Sequence, residues 1–359
     1  MKPVKFTHFA DKIAKDIIDG IFAPGELLPS QHTLAAKYQL SRSCVQKVFD
    51  LLDERGLIER RPGKGIYVKS KELEAEKLES IVYFVGETQR TIPNTLDNYG
   101  LEMLWGVEEK ARELGINLIL RRYSPEELGN LAAIAGKIKT DGIVFSRDIP
   151  DAALGSTGAV GKSAVICGRT TDIPAIGSTA PNFVDAFMRL FGSLIENSYS
   201  NIDLFFSSAY SWADDFIALR EQAGRKWGNK INFIDWSSPG IPVSTADERE
   251  HFEKVLYKTI KNKMPEIMVF ASDWFAVKAI GLLSKKGIKV PDDLKIIGCY
   301  GLEFGKSSTP PLTTLRIDPR ELGRKAVQML NEMVLKKAPP TTERIPLSYL
   351  ERETFKFLK

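Results

Sequence analysis

The run LSRSCVQKVFDLLDERGLIERRPGKGIYV, residues 40–68, gathers side chains that could recognise a polyanion. Ser41, Arg42, Ser43 and Gln46 open an amphipathic stretch, and Arg60, Arg61 and Lys64 crowd a Pro-Gly turn beside Gly63 and Gly65. A guanidinium fork matches guanine O6/N7 and a carboxamide matches adenine N6/N7, so such groups can read base edges. Cations on a hairpin grip phosphate and add affinity without sequence information. Other chemistry has little to build from. His8, His32 and His251 are isolated, Cys44, Cys167 and Cys299 lie far apart, and no CxxC or Ser/His/Asp grouping occurs. GSTGAVGKS at 155–163 looks like a phosphate loop, but Ser156 stands where its first glycine belongs. It also precedes the strand-like AVICG rather than a helix, which argues against nucleotide hydrolysis.

The elements around the cationic run follow from local signals. Thr7 can cap a helix whose apolar face holds Phe9, Ile13, Ile17, Ile18 and Ile21. APGELLPS breaks it, with Pro24-Gly25 as a turn. Ser30 caps a short second helix packed through Leu34, Ala35 and Tyr38, and Gln39-Leu40 connects it to a third. Ser41 caps that third helix, Val45, Val48, Phe49, Leu51 and Leu52 pin it to the core, and Gly56 ends it. Two short helices across a tight turn form a helix-turn-helix, whose second helix presents its N-terminal end to a major groove. LIER, RPGK and GIYV then read as a hairpin, so the unit is a winged helix-turn-helix.

Charge agrees with a polyanion partner. The whole formal excess of +4 falls within residues 1–70, and the rest of the chain is balanced. Hydrophobic content of 43% and charged content of 27% place the chain among ordinary globular proteins, with room for two or three domains. No apolar run approaches a membrane span, and the N-terminal stretch has no apolar core of signal-peptide length. Three scattered cysteines point to a reducing, cytoplasmic setting.

Residues 20–68 resemble the GntR family of bacterial transcription factors through PGELLPS, LA at 34–35, SRSCV, LLDERGLI and GKGIYV. The resemblance implies that Ser41, Arg42, Ser43 and Gln46 face DNA, with Arg42 the foremost base reader. It extends the set to Ser30, His32, Cys44 and Lys47, and on the wing to Arg60, Gly63, Lys64 and Gly65. The alternative for Arg42 is a solvated arginine at a helix start. Gln31-His32 stand where the family usually has Glu-Arg, Cys44 where threonine is common, and Gln46 where arginine is common. A glutamine there implies an operator less rich in guanine.

KSKELEAEKLES is charged and free of Gly and Pro, and residues 71–80 read as a linker. Beyond it, β-type runs alternate with amphipathic ones: SIVYFVG, INLILRRY, DGIVFS and SAVICG, then NIDLFFSS, INFIDW, PEIMVFAS and LKIIGCY. Such alternation implies α/β architecture with two parallel-sheet, Rossmann-like lobes and a ligand site at the carboxyl ends of the strands. GVEEKARELGINL, DGIVFS, ASDWFAVKAIGLLSKKGIKVPDDLKIIG, PPLTTLRID and LERET resemble the sensor domain of LacI/GalR regulators and their periplasmic-binding-protein relatives. A GntR-type head on such a body resembles the arabinose-repressor group of hybrids.

That resemblance implies a sensor over 81–359, with a first lobe of about 81–170 and 303–336 and a second of about 171–302 and 337–359. It implies Asp273 as a sugar-hydroxyl acceptor, Arg220 as a ligand-gripping arginine and Trp236 as a stacking aromatic. Thr88, Arg90, Ser146, Arg147 and Arg169 are candidates for the opposite wall, or else loop surface; helix capping is the alternative for Asp273. Gly168 and Ala223 depart from the family's aspartate and glycine. Helices carrying Met103, Leu104 and Val107, and Phe275, Ala279 and Leu282, are candidates for a homodimer contact, or else core. The expected function is a repressor that binds double-stranded operator DNA under control of a sugar-like effector, with no cofactor and no metal. A cytoplasmic small-molecule-binding protein without a DNA role is the alternative. An enzyme fused to a GntR head fits less well, since the body is short for one.

Overall fold

Ser30 and Ser41 decide where two helices of the N-terminal unit begin. In the computed structural model, which describes residues 5–18, 21–23, 25–69, 78–86, 99–154, 161–209, 212–237 and 246–357, the Ser30 hydroxyl accepts from the Thr33 amide and the Ser41 hydroxyl from the Cys44 amide. Contacts divide the chain into two units, Met1–Lys77 and Leu78–Lys359. The first unit holds α1 (Lys5–Ile18), α2 (Gln31–Tyr38) and α3 (Arg42–Glu54), then β1 (Ile58–Arg61) and β2 (Gly65–Val68). Helix α1 begins by Lys5, so Thr7 lies inside it rather than capping it, and Ile21 lies beyond its end, exposed. Gln39, in the left-handed region with φ 51°, makes the turn between α2 and α3.

β1 and β2 pair antiparallel with Arg61 opposite Gly65. The PGELLPS segment joins them: the Leu28 amide donates to the Ile66 carbonyl at 2.8 Å, and the Val68 amide to the Glu26 carbonyl at 2.8 Å. Gly65 has φ +110°, and a Cβ there would stand 2.7 Å from Leu27 Cδ1, so glycine is required. Ala10, Ile13, Leu28, Leu34, Val45, Val48, Phe49, Leu52, Ile58 and Val68 form one buried core, so α3 and the wing are built on the same base.

The second unit opens with β3 (Ser80–Gly86), α4 (Tyr99–Glu113), β4 (Asn117–Tyr123), α5 (Leu131–Lys137), β5 (Gly142–Ser146), α6 (Asp151–Leu154), β6 (Ser163–Cys167) and β7 (Ile176–Pro181). It continues with α7 (Phe183–Glu196), β8 (Ile202–Phe206), α8 (Ala213–Trp227), β9 (Ile231–Asp235), α9 (Ala246–Asn262), β10 (Ile267–Phe270), α10 (Asp273–Ser284) and β11 (Lys295–Tyr300). It closes with α11 (Glu303–Lys306), β12 (Thr313–Arg316), α12 (Pro319–Leu335), β13 (Thr342–Ile345) and β14 (Ser348–Leu350). The first sheet has the order β13-β7-β6-β5-β3-β4, parallel throughout. The second has the order β14-β12-β11-β10-β8-β9, parallel except for β14, which runs antiparallel to β12.

The two-lobed α/β architecture matches the expectation, but the division between lobes does not. β7 belongs to the first sheet although 171–181 was assigned to the second lobe; β12 belongs to the second although it lies in 303–336; β13 joins the first although it lies in 337–359. The chain crosses between sheets after β7, after β12 and again after β13, so membership is set by pairing with strands distant in sequence. The expected linker, 71–80, falls mostly outside the described residues, and its Leu78 is buried in the core of the second unit.

Helix α12 seals the first lobe against α4. A Cβ on Gly106 would overlap the Arg320 carbonyl, and one on Gly323 the Met103 carbonyl, so the two backbones touch. Arg320 pairs with Glu102 and, at 2.9 Å, with Glu109; Arg324 reaches Glu113 at 2.8 Å.

Candidate functional site

The N-terminal unit presents its expected recognition side chains on the first turns of α3. Arg42 is exposed and carries no ion pair among the described residues. Ser41 and Ser43 share a hydrogen bond of 3.0 Å, and Cys44 is only partly exposed, its amide held by the cap. Lys47 is exposed, with Nζ 5.5 Å from the Phe6 ring, and His32 is exposed on α2. Ser30 is committed to capping, since its hydroxyl also bonds the Thr33 hydroxyl at 2.7 Å.

Gln46 sits in a chain of polar contacts that sequence reasoning missed. Its Nε2 donates to Asp50 Oδ1 at 3.0 Å, and its Oε1 faces Gln31 Nε2 at 3.5 Å. Gln31 also donates to the Arg42 carbonyl at 2.8 Å, tying α2 to the start of α3. Arg60, expected on phosphate, points back instead: Nη2 meets Asp50 Oδ1 and Nε meets Asp53 Oδ2 at 3.1 Å. The reason is register, because β1 runs directly after α3 and brings Arg60 over its carboxylates. Arg60, then Gln46, holds the Asp50 carboxyl below its ordinary range. Arg61 lies 4.4 Å from the Tyr67 ring centroid, which leaves Lys64 as the cation at the wing tip between Gly63 and Gly65. A search for acid–base partners ten residues apart across α3 and β1 would have flagged Asp50 and Arg60.

In the second unit the carboxyl ends of both sheets supply a different set of side chains. Ser146 ends β5, fully buried, and Arg147 follows it with its guanidinium 4.3 Å from the Tyr99 ring centroid. Thr88 and Arg90 lie outside the described residues. Arg169 is structural: Nε donates to the Arg147 carbonyl at 2.9 Å, Nη1 to Thr170 at 2.7 Å, Nη2 to Ile149, and Asp151 pairs with it at 2.6 Å. Every nitrogen of that fork fastens the loops after β5 and β6.

Three more of the expected groups have these surroundings. Arg220 lies in the middle of α8 on an exposed face, about two turns past the helix start at Ala213. Trp236 is 3% exposed, its ring 4.1 Å from Phe275 and 5.3 Å from Phe252, inside the core beneath α9 and α10. Asp273 opens α10 fully buried; Oδ2 accepts from the Leu302 amide at 2.7 Å and Oδ1 from the Thr314 hydroxyl at 2.6 Å. Burial pushes its carboxyl up to about 7 against the pull of Thr314 and Leu302. It fastens β10 to β11 and β12 rather than offering an acceptor to solvent. Met103, Val107, Phe275, Ala279 and Leu282 are buried in cores of their own chain, whereas Leu104, on the same helix as Met103, is partly exposed.

What the strand ends do bring together is an aromatic seam between the lobes. Tyr99, opening α4, meets Tyr300 at the end of β11 at 5.3 Å, and Tyr300 meets Trp212, before α8, at 5.7 Å. Phe183 at the start of α7 closes the group, 6.3 Å from Tyr300. Tyr300 holds φ 111°, a strained conformation of the kind stored at working sites. Looking for aromatics, rather than charges, at strand ends would have found this set. Nearby, Asp235 at the end of β9 accepts from the Ser208 amide at 3.1 Å and from the Ser237 hydroxyl at 2.7 Å. Burial alone would raise that carboxyl, but the donors from Ser208 and Ser237 hold it below its ordinary range. Asp215 of α8 pairs with Arg344 of β13 at 2.8 Å, joining the second lobe to the first. Among the described residues no group of three His, Cys, Asp or Glu could hold a metal, and no helix is long and apolar enough to cross a membrane.

Known proteins match both units. Residues 7–68 match the bacterial regulatory proteins of the gntR family, and residues 191–355 match the periplasmic binding protein-like domain. The HTH-type transcriptional regulator GanR of Bacillus subtilis is 25% identical over 205 residues, 55% of this chain and 61% of that one, so the match spans less than two thirds of that relative. The arabinose metabolism transcriptional repressor of Geobacillus stearothermophilus is 22% identical over 348 residues, 92% of this chain and 91% of its own. Among solved structures, a complex of the transcriptional regulator CelR with cellobiose superposes with a TM-score of 0.62 at 15% identity, covering 91% of this chain and all of that one. At that identity the likeness is one of fold.

Proposed function

We propose, from a gntR-family head and a periplasmic binding protein-like body on one chain, that this protein is a DNA-binding transcriptional regulator, a repressor, whose operator affinity is set by a small molecule held between the lobes of its body. The observation that carries the reading is the exposed start of α3, where Arg42 has no ion pair among the described residues while the core beneath it is complete. An exposed guanidinium at a helix start, with Lys64 on a neighbouring wing, suits base-edge and phosphate contact in one docking pose. The partner is double-stranded DNA, and two copies of the chain binding it as a homodimer would call for a two-fold site.

For the body, the reading takes Arg147 on one wall, with Ser146 buried behind it, Ser208 and Ser237 on the other, and Tyr99, Trp212 and Tyr300 as an apolar floor. Aromatic faces with a few polar groups suit the stacked CH faces and hydroxyls of a sugar, in keeping with the names of the relatives. The protein works in the cytoplasm without a catalytic step, and its three cysteines are free thiols. The effector acts by binding one arrangement of the lobes better than another, which changes DNA affinity by the same coupling free energy.

A panel of mono- and disaccharides, tested by thermal shift on the full chain, addresses the effector. A ligand selective for the native state raises the melting temperature. The expected result is one sugar class that raises it and also changes the affinity for operator duplex. A sugar that raises it with no change in DNA affinity would favour a binding protein without regulatory coupling.

A further inference from the structure

We infer that Arg60, acting through Asp50, is a positioning residue that fixes the side-chain amide of Gln46 in the orientation that reads one base pair. The inference deepens the regulator reading and rests on it.

A glutamine amide has two donor hydrogens and two acceptor lone pairs, and its two ends are interchangeable unless neighbours distinguish them. Here they do. Asp50 Oδ1, 3.0 Å from Gln46 Nε2, is a carboxylate oxygen and takes a hydrogen only from the nitrogen end. Gln31 Nε2, 3.5 Å from Gln46 Oε1, is a donor and faces only the oxygen end. One N–H and one lone pair of Gln46 remain, the kind of pair that meets adenine N7 and N6. Asp50 stays in place because Arg60 grips it, and the same guanidinium holds Asp53 one turn further along α3. Gln31 anchors the other side through the Arg42 carbonyl at 2.8 Å, so the clamp also fixes the backbone of the neighbouring reader. Arg60 thus spends its charge on carboxylates of its own chain, and Lys64 is left to meet phosphate at the wing tip.

A phosphate contact and a positioning role give opposite signatures. Losing a phosphate contact weakens binding to all sequences alike and lowers the salt slope by about one. Losing the clamp relaxes discrimination at one base pair and leaves the slope alone. The test uses full-length protein and a duplex library with a randomised centre, from which the wild type selects its site. Site variants are then titrated against wild type, Arg60→Lys, Arg60→Ala, Asp50→Asn and Gln46→Ala across a salt series.

The inference expects Arg60→Lys, which keeps the charge, to lose roughly tenfold discrimination at the pair that Gln46→Ala also relaxes. Asp50→Asn is expected to do the same, with Arg60→Ala silent at that pair in a Gln46→Ala background and the salt slope unchanged throughout. Circular dichroism and melting of each variant separate this from unfolding; Arg60→Lys, the mildest change, decides if Arg60→Ala does not fold. Arg60→Lys indistinguishable from wild type, with Arg60→Ala weakening all sequences equally and lowering the slope, overturns the inference and leaves the regulator reading standing. A wild type that selects no sequence overturns both.

Discussion

Arg42 and Arg147 are the side chains on which the account places most weight. Arg42 has no ion pair among the described residues, so Arg42→Ala costs the fold little while removing about 1–3 kcal/mol of discrimination against the wrong base. Competition titrations with single-base operator variants check this; equal losses on random DNA would count against base reading. Arg147→Ala is expected to weaken effector binding at least several-fold, whereas Arg220→Ala, on the exposed face of α8, is expected to leave it unchanged. Calorimetric titration of both variants with the effector separates the two. Asp273 gives a pH signature. Its carboxyl, raised to about 7, keeps its proton in the folded chain over a range where the unfolded chain has lost it. Its contribution to stability is therefore full below about pH 4 and is lost as pH rises through about 7. The body should melt higher at pH 6 than at pH 8, and Asp273→Asn should remove most of that difference. The identity of these residues was plain in the sequence, but their roles were not. Trp236 and Asp273 look like ligand groups at strand ends until α9, α10 and β12, all distant in sequence, close over them.

At the scale of elements, the head was legible because its signals are local. Ser30 and Ser41 cap their helices, Gly56 ends α3, and Gly63 and Gly65 shape the wing, each acting within a few residues. The body's strands were legible as alternation, yet the sheet each strand joins was not, since β13 reaches its neighbour β7 only after the chain has built five of the six strands of the second sheet. The α4–α12 contact is likewise a property of two segments far apart. Alanine at Gly106 or Gly323 would gain up to about 1 kcal/mol of helix propensity. The added methyl meets backbone carbonyls that cannot rotate away, and overpacking costs about 1–3 kcal/mol, so the clash wins. Urea unfolding of Gly323→Ala should show a lowered midpoint, and an unchanged or raised midpoint would mean that the helices can separate cheaply. Trp105, 39% exposed on α4 with Leu101, is covered in part by the Arg320 guanidinium, 4.9 Å from its ring centroid, and otherwise remains apolar surface.

For the whole molecule, function requires the two lobes to have more than one arrangement. The Asp215–Arg344 pair and the Tyr99–Tyr300 contact join them across the crossovers in the arrangement described here. If the effector binds this arrangement better than others, breaking the ion pair with Asp215→Asn should lower its population and weaken effector binding several-fold without removing any ligand contact. Tryptophan fluorescence on effector titration would report it. The crossing pattern between the lobes was not readable from local periodicity, because it depends on which strands meet. The central claim, that a cationic head grips duplex under control of a solute bound in the body, has one direct test. Full-length protein is titrated by fluorescence anisotropy against duplex from upstream of its own gene and against scrambled duplex, at low and physiological salt, with and without the sugar found by thermal shift. The account predicts tighter binding to the upstream duplex, weakening with salt, and a change in affinity of about fivefold or more on adding the sugar. Equal binding to both duplexes, or an affinity that the sugar leaves untouched, would contradict it.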